Sequence, residues 1–583
     1  MNVLGISALY HDAACCLLRD GKIVAAAQEE RFTKQKADPS MPVNAMNYCL
    51  REAGMSLLDI DAVAYYEDPA KKLSRQLWSG YDYLNSPLRA QLDPRRPEAE
   101  IRKLLGYTGE IKMYEHHLSH AASSYYFSGF NESATLTVDG VGEWATTTYG
   151  YAEKNALQLF EEVDFPDSIG LLYAAITSFL GFKVNGGEYK VMGLAPYGAP
   201  VYVSKLRKLI HTVEGGGYHL DMKYFDFISG NRMYSDELIS LLGEQPRKPE
   251  SDIQKKHTDL AKSLQVVLEE VLIEKARYLH TRTNSDNLCM AGGVALNCVA
   301  NAKILQHTPF RHLYVQPAAN DAGCALGAAA LAYMDLTGHT GKVAPMEHVY
   351  YGPAYSNREI GKLLAATTLN YDVYDNQEAL LQDAAAALAN GKVIGWFQGR
   401  MEFGPRSLGA RSILADPRDG EMRNRINAMV KKREMFRPFA PSVLEEKAAA
   451  HFDLDHASPF MLEVCPVIST LDLPAITHVD RSARVQTVSD ITNPLYAALI
   501  REFDKLTGCP LVLNTSFNVR GQPIVNTPED AIICFLMSGI DSLVIGDIII
   551  KKENNDIVLL EYMLQNYDQF KKSDVATDVY TFI

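Results

Sequence analysis

The chain has 583 residues, more than the roughly 250–300 at which a single hydrophobic core stops growing, so at least two domains are expected. A net charge of −14 disfavours nonspecific binding to nucleic acid or to an anionic membrane. No apolar run reaches about 18 residues, so we predict no membrane span and a cytoplasmic protein. The nine cysteines form no CxxC pair, and we interpret them as reduced core residues.

The first repeated pattern is a strand followed by a hairpin. Residues 3–8 form a short apolar strand, and residues 13–31 contain two apolar runs joined at Asp20-Gly21, a dipeptide that tolerates tight turns. Residues 133–163 repeat this order, with a polar turn at Asp139-Gly140 and a hairpin turn near Lys154-Asn155. The repetition favours a duplicated α/β unit of the actin/Hsp70/sugar-kinase (ASKHA) class. In that class the first turn of each half faces nucleotide phosphates and metal. Two unrelated hairpins are the alternative.

Three histidines fall within five positions, in the stretch YEHHLSHAASSYYFSGF. His116 and His120 are four residues apart, so on a helix they would share one face and could bind one metal ion or anion. A polar surface or a satisfied buried pair is the alternative. His117 would face away from that pair, and we interpret it as a residue that supports the pair or lies at the surface.

A glycine turn and an aspartate each precede a predicted helix further along the chain. The stretch NLCMAGGVALNCVANAKIL combines a strand, the Gly292-Gly293 turn and a helix start, where a ligand could approach backbone N–H groups. A simple packing turn is the alternative. Asp321 stands just before a helix of small residues, and capping of that helix is its alternative role, with Asn320 as another candidate N-cap.

The domain boundary is predicted near residues 336–355, where glycine, proline and polar residues replace apolar ones. This gives an α/β domain at 1–350 and a second α/β domain at 351–583.

Many ordered motifs together make the chain resemble a known family, the O-carbamoyltransferases of the nodulation-factor, cephamycin and tobramycin type. The resemblance covers nearly the whole length. The motifs that carry it are YHDAACCLLRDGKIVAAAQEERFTKQK, HHLSHAASSYYFSGF, LTVDGVGEW, VNGGEYKVMGLAPYG, AGGVALN, NDAGCALGAA, GRMEFGPRSLGARSILADPR, VKKREMFRPFAPSVL and NTSFNVRGQPIV.

The resemblance implies a fold and a reaction. The first domain would be similar to the metal-containing ASKHA subunit of the tRNA threonylcarbamoyl machinery, and the second would be a YrdC-like adenylate-forming domain. Carbamoyl phosphate and ATP, the latter with Mg²⁺, would give carbamoyl-adenylate, pyrophosphate and phosphate. The carbamoyl group would then pass to a hydroxyl of a small-molecule natural product, leaving AMP. Neither nucleic acid nor membrane is an expected partner, and a homodimer is left open.

The resemblance also assigns a metal centre and a catalytic base. By the family pattern the metal ligands are His116, His120, Asp139 and Asp321. Two imidazoles and two carboxylates suit a borderline divalent ion, for which the family suggests Fe²⁺, with Zn²⁺ or Mn²⁺ as alternatives. His11 is the expected general base, oriented by Asp12, because imidazole titrates near neutral pH. The alternative is that these two residues only close a turn.

Two further groups of residues are assigned to anionic substrates. The nucleotide-binding candidates are Asn185, Gly186, Gly187, Glu188, Lys190, Gly292, Gly293 and Asn297, although Asn185 or Glu188 could merely cap a turn. The candidates for binding carbamoyl phosphate and ATP in the second domain are Arg406, Arg411, Lys431, Arg433, Arg437, Arg484, Asn514, Asn518 and Arg520. Arginine binds phosphate in bidentate fashion. Because Gly, Pro and aromatic residues separate these arginines, instead of helical repeats of Glu and Lys, a pocket lined by them is favoured over a solvated face. Surface charges are expected at Arg418, Arg423 and Arg425.

Two other functions compete with carbamoyl transfer to a small molecule. One is a tRNA-modifying enzyme, which the charge of −14 disfavours. The other is a non-catalytic ATP-binding sensor, which the retained ligand set disfavours. Residues 65–110 and 200–280 carry no recognised motif, and we expect them to shape the pocket of an acceptor that the sequence does not identify.

Overall fold

The computed structural model describes residues 1–81, 89–228, 232–431 and 436–555. The chain divides into two compact units. Among the described residues, the first contains Met1–Glu29 and Ala37–Met346, and the second contains Glu30–Lys36 and the chain from Glu347 to Asn555. The division therefore falls four residues before the predicted one at 350/351.

Glu30–Lys36 corrects the predicted extent of the first domain, because this short segment belongs to the second unit. It includes the helix α1, Glu30–Thr33. The Arg31 side chain is buried, and its Nη2 donates a 2.8 Å hydrogen bond to the carbonyl oxygen of Gly404. Lys34 forms an ion pair with Asp530. These contacts with distant residues hold the segment in the second unit.

The first unit contains two five-stranded sheets, a two-stranded sheet and most of the helices. Its strands are β1 Asn2–Ser7, β2 Ala14–Arg19, β3 Lys22–Gln28, β4 Ala62–Tyr65, β5 Glu110–Met113, β6 Glu132–Val138, β7 Ala145–Glu153, β8 Ala156–Asp164, β9 Ile210–Thr212, β10 Tyr218–Leu220, β11 Asn287–Ala291 and β12 His312–Val315. Its helices are α2 Val43–Ala53, α3 Pro69–Trp78, α4 Arg89–Leu92, α5 Arg96–Glu100, α6 His116–Ser128, α7 Ile169–Phe179, α8 Glu188–Leu194, α9 Val203–Leu206, α10 Asp236–Leu242, α11 Lys255–Thr283, α12 Cys298–His307 and α13 Asp321–Leu336.

The two large sheets have the same topology. The first has the order β3-β2-β1-β4-β5, and the second has the equivalent order β8-β7-β6-β11-β12. In each, the first strand pairs antiparallel with a hairpin strand and parallel with the next strand on its other side. The predicted turn residues Asp20, Gly21 and Lys154 have positive φ angles of 49°, 74° and 55°. The duplicated α/β unit is therefore confirmed, and the two-unrelated-hairpins alternative is wrong.

α13 lies against β1, β2 and α6. Its small residues allow close approach. A Cβ atom added at Gly327 would lie 1.8 Å from the carbonyl oxygen of Ser119 in α6, and one at Gly5 in β1 would lie 1.9 Å from that of Ala325. Close packing at these glycines brings the N-terminal turns of α6 and α13 together.

The second unit is built on an eight-stranded sheet with the order β13-β22-β21-β14-β15-β20-β16-β19. Its strands are β13 Asp372–Val373, β14 Ile394–Phe397, β15 Arg411–Ala415, β16 Ala440–Leu444, β17 Cys465–Pro466, β18 Ser482–Ala483, β19 Gln486–Val488, β20 Leu511–Ser516, β21 Ser542–Ile545 and β22 Ile548–Lys551. Besides α1, its helices are α14 Asn357–Ala365, α15 Gln377–Ala389, α16 Met422–Ile426, α17 Ala448–His451, α18 Pro494–Thr507 and α19 Pro528–Leu536. Its core includes Trp396 of β14 with Tyr496 and Phe503 of α18.

All nine cysteines are buried and free, as predicted from their spacing. Within the four described ranges, no helix combines the length and the apolar character needed to cross a membrane.

Candidate active site

Four side chains of the first unit meet in one buried cluster. One donor atom from each of His116, His120, Asp139 and Asp321 lies within 4.8 Å of the other three. The Oδ2 of Asp139 is 3.2 Å from Nε2 of His116 and 3.5 Å from Nε2 of His120. The Oδ1 of Asp321 is 3.8 Å from both of these nitrogens. The structure thus brings together the four residues expected as metal ligands.

Three elements position this cluster. Asp139 follows the last residue of β6, and Asp321 is the first residue of α13. α6 begins at His116 and carries both histidines on one face. The buried Glu143 carboxylate accepts hydrogen bonds of 2.9 and 3.1 Å from the His116 backbone N–H. A carboxylate at this position satisfies the helix N-terminus and complements its dipole.

Several buried polar atoms in the cluster have no hydrogen-bond partner in the described part of the chain. These atoms are both ring nitrogens of His120 and both carboxylate oxygens of Asp321. His120 is fully buried and Asp321 is 1% exposed, so the solvent does not satisfy them. Such groups cost free energy unless a ligand pairs with them. Two imidazoles and two carboxylates are also a suitable donor set for a borderline divalent cation, so the residues fit a metal ion.

The alternative capping role of Asp321 is wrong. Asn320 has the extended backbone of an N-cap residue, whereas Asp321 is already helical. Burial raises the pKa of Asp321, opposed by the nearby histidines His11 and His116. The side chain therefore faces the cluster instead of closing the helix.

His11 lies beside the same cluster. Its Nδ1 is 3.0 Å from Oδ2 of Asp12 and 3.7 Å from Oδ2 of Asp321. Asp12 has a φ of 53°, a left-handed conformation that is uncommon outside glycine. Burial alone would lower the pKa of His11, but the Asp321 and Asp12 carboxylates outweigh it and raise the pKa to about 10. The predicted base and its orienting carboxylate are thus adjacent to a predicted metal ligand.

His117 is buried, so its predicted surface alternative is wrong. Its Nδ1 is 2.6 Å from the hydroxyl oxygen of Thr137 in β6. Burial and the neighbouring His116 lower its pKa well below the usual value. This histidine anchors the first turn of α6 against the second sheet.

The Gly292-Gly293 turn contacts the cluster of His116, His120, Asp139 and Asp321. The backbone N–H of Gly293 donates a 2.9 Å hydrogen bond to Oδ1 of Asp139. Gly292 has a φ of 95°, and an added Cβ would lie 2.2 Å from the Val138 carbonyl oxygen. Asn297 caps α12 through Ala300 and exchanges two amide hydrogen bonds with Gln265 of α11. A contact of these residues with nucleotide stays a prediction.

The Gly186-Gly187 turn holds a carboxylate of the chain itself. Glu188 accepts backbone hydrogen bonds of 3.0, 2.8 and 3.0 Å from Asn185, Gly186 and Gly187. Glu188 therefore caps this turn, one of the two roles left open for it. The Lys190 ammonium lies 5.4 Å from the centroid of the Phe182 ring.

In the second unit, the predicted substrate-binding residues gather at one end of the sheet. β20 is antiparallel to β15 and β16, and β16 is parallel to β19. The starts of β15, β16 and β19 therefore lie beside the end of β20. Loops at this end carry Arg406, Arg437, Arg484, Asn518 and Arg520, while Asn514 lies within β20.

Arg411 is oriented toward the protein interior. Its fully buried guanidinium donates hydrogen bonds of 2.8–3.1 Å to the carbonyl oxygens of Pro353, Gln398, Gly399 and Ala410. It also lies 3.7 Å from the Phe397 ring centroid. These contacts give Arg411 a structural role instead of the predicted role in binding anionic substrates.

A buried polar network lies beneath these loops. The Asn514 amide donates to Ser442 Oγ at 3.0 Å, Gln486 Oε1 at 3.1 Å and the Ser407 carbonyl at 3.2 Å. The Glu402 carboxylate accepts three backbone hydrogen bonds from residues 408, 410 and 411. In the described ranges, Oδ1 of Asn514 and Oγ of Ser407 are buried without a hydrogen-bond partner. The network holds the Arg406 loop and leaves polar atoms that a ligand could pair with.

The remaining arginines differ in exposure. Arg406, Arg437 and Arg484 are half-buried, and Arg520 is exposed. The Asn518 side chain bonds to Ser516 and to the Gln522 backbone. Arg433 and the Lys431 side chain lie outside the described residues. Two of the expected surface charges, Arg418 and Arg425, form partly buried ion pairs with Asp416 and Asp541, while Arg423 is half-buried.

Several residues of the histidine–aspartate cluster and of the polar network in the second unit were not predicted from the sequence. Cys324 lies within 4.8 Å of a donor nitrogen of His116 and of His120. Its position three residues after Asp321, on the same helix face, was an available signal. Glu143, Glu402 and Gln486 gave no comparable local signal, because their roles depend on partners that are distant in sequence.

Comparison with known proteins identifies the family. The Carbamoyltransferase N-terminus family model matches residues 2–92 and 99–330, and the Carbamoyltransferase C-terminus model matches residues 385–552. The nodulation protein NolNO of Sinorhizobium fredii is 40% identical over 554 residues, with 93% of this chain and 79% of that protein covered. The 3'-hydroxymethylcephem-O-carbamoyltransferase of Amycolatopsis lactamdurans is 36% identical over 260 residues, with 45% and 48% covered.

Among solved structures, the similarity is weaker. A ROK hexokinase from Thermus thermophilus shares 14% identity at a TM-score of 0.31, with 58% of this chain and 100% of that chain covered. HypF from T. kodakarensis shares 14% identity at a TM-score of 0.32, with 58% and 48% covered. Because both family models match and together span most of the sequence, the chain belongs to the O-carbamoyltransferase family, whose members transfer a carbamoyl group to a hydroxyl.

Proposed function

We propose that this carbamoyltransferase is ATP-dependent and works in two steps. The second unit converts carbamoyl phosphate, ATP and one water molecule to carbamoyl-adenylate, phosphate and pyrophosphate: water cleaves carbamoyl phosphate to carbamate and phosphate, and a carbamate oxygen then attacks the α-phosphate of ATP and displaces pyrophosphate. The first unit transfers the carbamoyl group to a hydroxyl of a small-molecule natural product, releasing AMP. The observation that carries the proposal is the buried four-ligand cluster with His11 beside it, 3.7 Å from Asp321.

In the transfer step, His11 accepts the proton of the attacking hydroxyl, and Asp12 orients the imidazole. The hydroxyl oxygen forms a bond to the carbamoyl carbon, and the bond from that carbon to the AMP oxygen breaks. A divalent ion, with Fe²⁺ as the first candidate and Zn²⁺ or Mn²⁺ as alternatives, would offset the charge that develops on the AMP phosphate. Its charge would also oppose the effect of Asp321 on the His11 pKa, which favours the basic imidazole.

In the adenylate-forming step, the arginines at one end of the second sheet bind two anionic substrates, carbamoyl phosphate and ATP with its Mg²⁺. Guanidinium groups suit this task because they bind phosphate oxygens in bidentate fashion. The Asn514 and Ser407 side-chain oxygens that find no partner among the described residues support a ligand site at this end. A YrdC-like fold for this unit and a role of Arg406, Arg437, Arg484 and Arg520 in the pocket are parts of the proposal.

A tRNA substrate is less well supported than a small molecule. The net charge of −14 opposes binding to a polyanion. The relative from Amycolatopsis lactamdurans carries in its name a small hydroxymethyl acceptor. A non-catalytic sensor would not need the complete ligand cluster together with His11.

The test follows the products of ATP. Protein supplied with ATP, Mg²⁺ and carbamoyl phosphate should release pyrophosphate and form carbamoyl-adenylate, detected by mass spectrometry. ADP as the main product would instead show kinase chemistry and refute the adenylate route.

Variants separate the two steps. Arg520→Ala should slow pyrophosphate release but still carbamoylate an acceptor at the wild-type rate when given carbamoyl-adenylate. His11→Ala should release pyrophosphate while transfer falls by about 10²–10⁴-fold, as expected for a lost general base. If carbamoyl-adenylate fails to rescue folded Arg520→Ala, the division of labour is wrong.

A further inference from the structure

Cys324 lies beside the histidine pair of the metal cluster. Its sulfur and one ring nitrogen each from His116 and His120 lie within 4.8 Å of one another, and all three residues are buried. Metal bonds to sulfur and to imidazole nitrogen are about 2.3 and 2.1 Å long. Small side-chain movements would therefore let these three donors reach one ion.

Helix geometry explains this position. Asp321 and Cys324 are three residues apart at the start of α13, so both side chains lie on one face. His116 and His120 share one face of α6 in the same way. The two helices approach closely at Gly327, where an added Cβ would lie 1.8 Å from a carbonyl oxygen of α6. α13 therefore brings both a carboxylate and a thiol to the two imidazoles.

A second observation indicates that a ligand belongs between these side chains. His120 is fully buried, yet neither of its ring nitrogens has a hydrogen-bond partner among the described residues. A buried imidazole in this state is destabilising unless a cation or a donor pairs with it. A metal ion bound between α6 and α13 would satisfy His120 and would lie within reach of the sulfur.

We propose that the Cys324 thiolate is an additional ligand of this metal centre, sharing His116 and His120 with the two carboxylates. The proposal rests on the metal centre of the proposed function. On binding, the thiol proton leaves to solvent and a metal–sulfur bond forms, with no change of oxidation state. A thiolate is a softer donor than a carboxylate, so it favours Zn²⁺, Fe²⁺ or Co²⁺ over Mn²⁺ and Mg²⁺.

The test uses the full-length protein loaded with Co²⁺, because a cobalt–thiolate bond gives a near-ultraviolet charge-transfer band. The wild type should show this band. Cys324→Ser and Cys324→Ala should lose it while still binding cobalt through the remaining ligands. Cys298→Ser provides a matched control, since Cys298 is also buried but neighbours Met192. An unchanged band in both Cys324 variants would overturn the proposal.

A competition measurement gives a second readout that does not depend on activity. Replacing an outer partner of a ligand costs about 10–100-fold in metal affinity, so the loss of a direct ligand should lower Zn²⁺ affinity by at least about tenfold. The Mn²⁺ affinity of Cys324→Ser should stay within about twofold of the wild type. Equal losses for both metals in a folded variant would contradict a thiolate bond.

The possible failures can be told apart. If the wild type binds Co²⁺ without the band and carbamoyl transfer persists, the Cys324 ligand is wrong but the proposed function stands. If the wild type binds no cobalt, both the Cys324 ligand and the metal centre are wrong.

Discussion

The Glu143 carboxylate accepts two hydrogen bonds, of 2.9 and 3.1 Å, from the backbone N–H of His116. It also accepts one of 2.6 Å from the backbone of Asp68. Burial raises the pKa of Glu143 to about 7, while His116 and the Asp68 N–H oppose the shift. Glu143 thereby fixes the first residue of α6, which is also a predicted metal ligand.

We expect Glu143→Gln to weaken metal binding by about tenfold, because the amide keeps one acceptor oxygen but loses the charge at the helix N-terminus. The measurement is metal affinity by chelator competition. Glu115→Gln is the matched control, since Glu115 is the exposed N-cap residue of the same helix. Equal affinities of the two variants would show that Glu143 does not position His116.

Removal of one ligand tests the cluster directly. His120→Ala should lose the tightly bound divalent metal, expected at about one ion per chain, because the cluster is then left with one imidazole. Elemental analysis of the purified protein measures this. His307→Ala, at an exposed position of α12, should keep its metal. Unchanged metal content in His120→Ala would refute the ligand assignment.

The glycine at position 292 should matter to the metal although it is not a ligand. In Gly292→Ala the added Cβ would lie 2.2 Å from the Val138 carbonyl oxygen at a φ of 95°. Relief of that clash would move the Gly293 N–H away from Asp139. We expect reduced metal content by elemental analysis. Gly186→Ala is the control, since its Cβ would meet no atom within 4 Å. Equal metal content in both variants would contradict this coupling.

Arg411 and Arg520 should fail in different ways. Arg411→Leu removes the four hydrogen bonds of a fully buried guanidinium and its contact with the Phe397 ring, which should cost about 3 kcal/mol of stability. Arg520 is exposed, so Arg520→Ala should keep its melting temperature while pyrophosphate release slows by about ten- to a hundredfold. Thermal unfolding and a pyrophosphate assay measure the two effects. A stable Arg411→Leu protein that lacks only pyrophosphate release would return Arg411 to the substrate pocket.

His456 should make stability depend on pH. Its ring nitrogens are 2.8 Å from Glu463 and 2.9 Å from Asp455. The hydrogen bond to Glu463, together with Asp455, raises the pKa of His456 from 6.5 to about 9, although burial opposes the shift. A raised pKa means that the protonated histidine stabilises the fold below about pH 6.5, and this stabilisation disappears as pH rises through about 9.

The half-exposed position of His456 limits this contribution to about 1 kcal/mol. The melting temperature of His456→Gln should therefore lie below that of the wild type at pH 6 and equal it near pH 10. His307→Gln, at an exposed site, controls for general charge effects. A difference that does not change with pH would rule out the ion pair as its cause.

Short-range patterns in the sequence were sufficient for the local elements and for part of the chemistry. Asp20-Gly21 and Lys154-Asn155 predict their hairpins because turn residues that tolerate positive φ act through their own backbone. His116 and His120 predict a shared helix face because the helical repeat alone sets it. The motifs in order along the chain also predict the family, since they include segments of both matched domains.

Packing between elements distant in sequence determined the domain membership of one segment and the positions of several side chains. Glu30–Lys36 joins the second unit through the buried Arg31, a choice that no neighbouring residue dictates. Arg411 points into the core because the carbonyl groups of Pro353, Gln398 and Gly399 converge on it, while Arg520 with the same chemistry is exposed. Cys324 reaches the histidines only because small residues let α6 and α13 approach closely. Spacing determines which side chains share a face, but only the packing of faces from distant elements determines which of them meet.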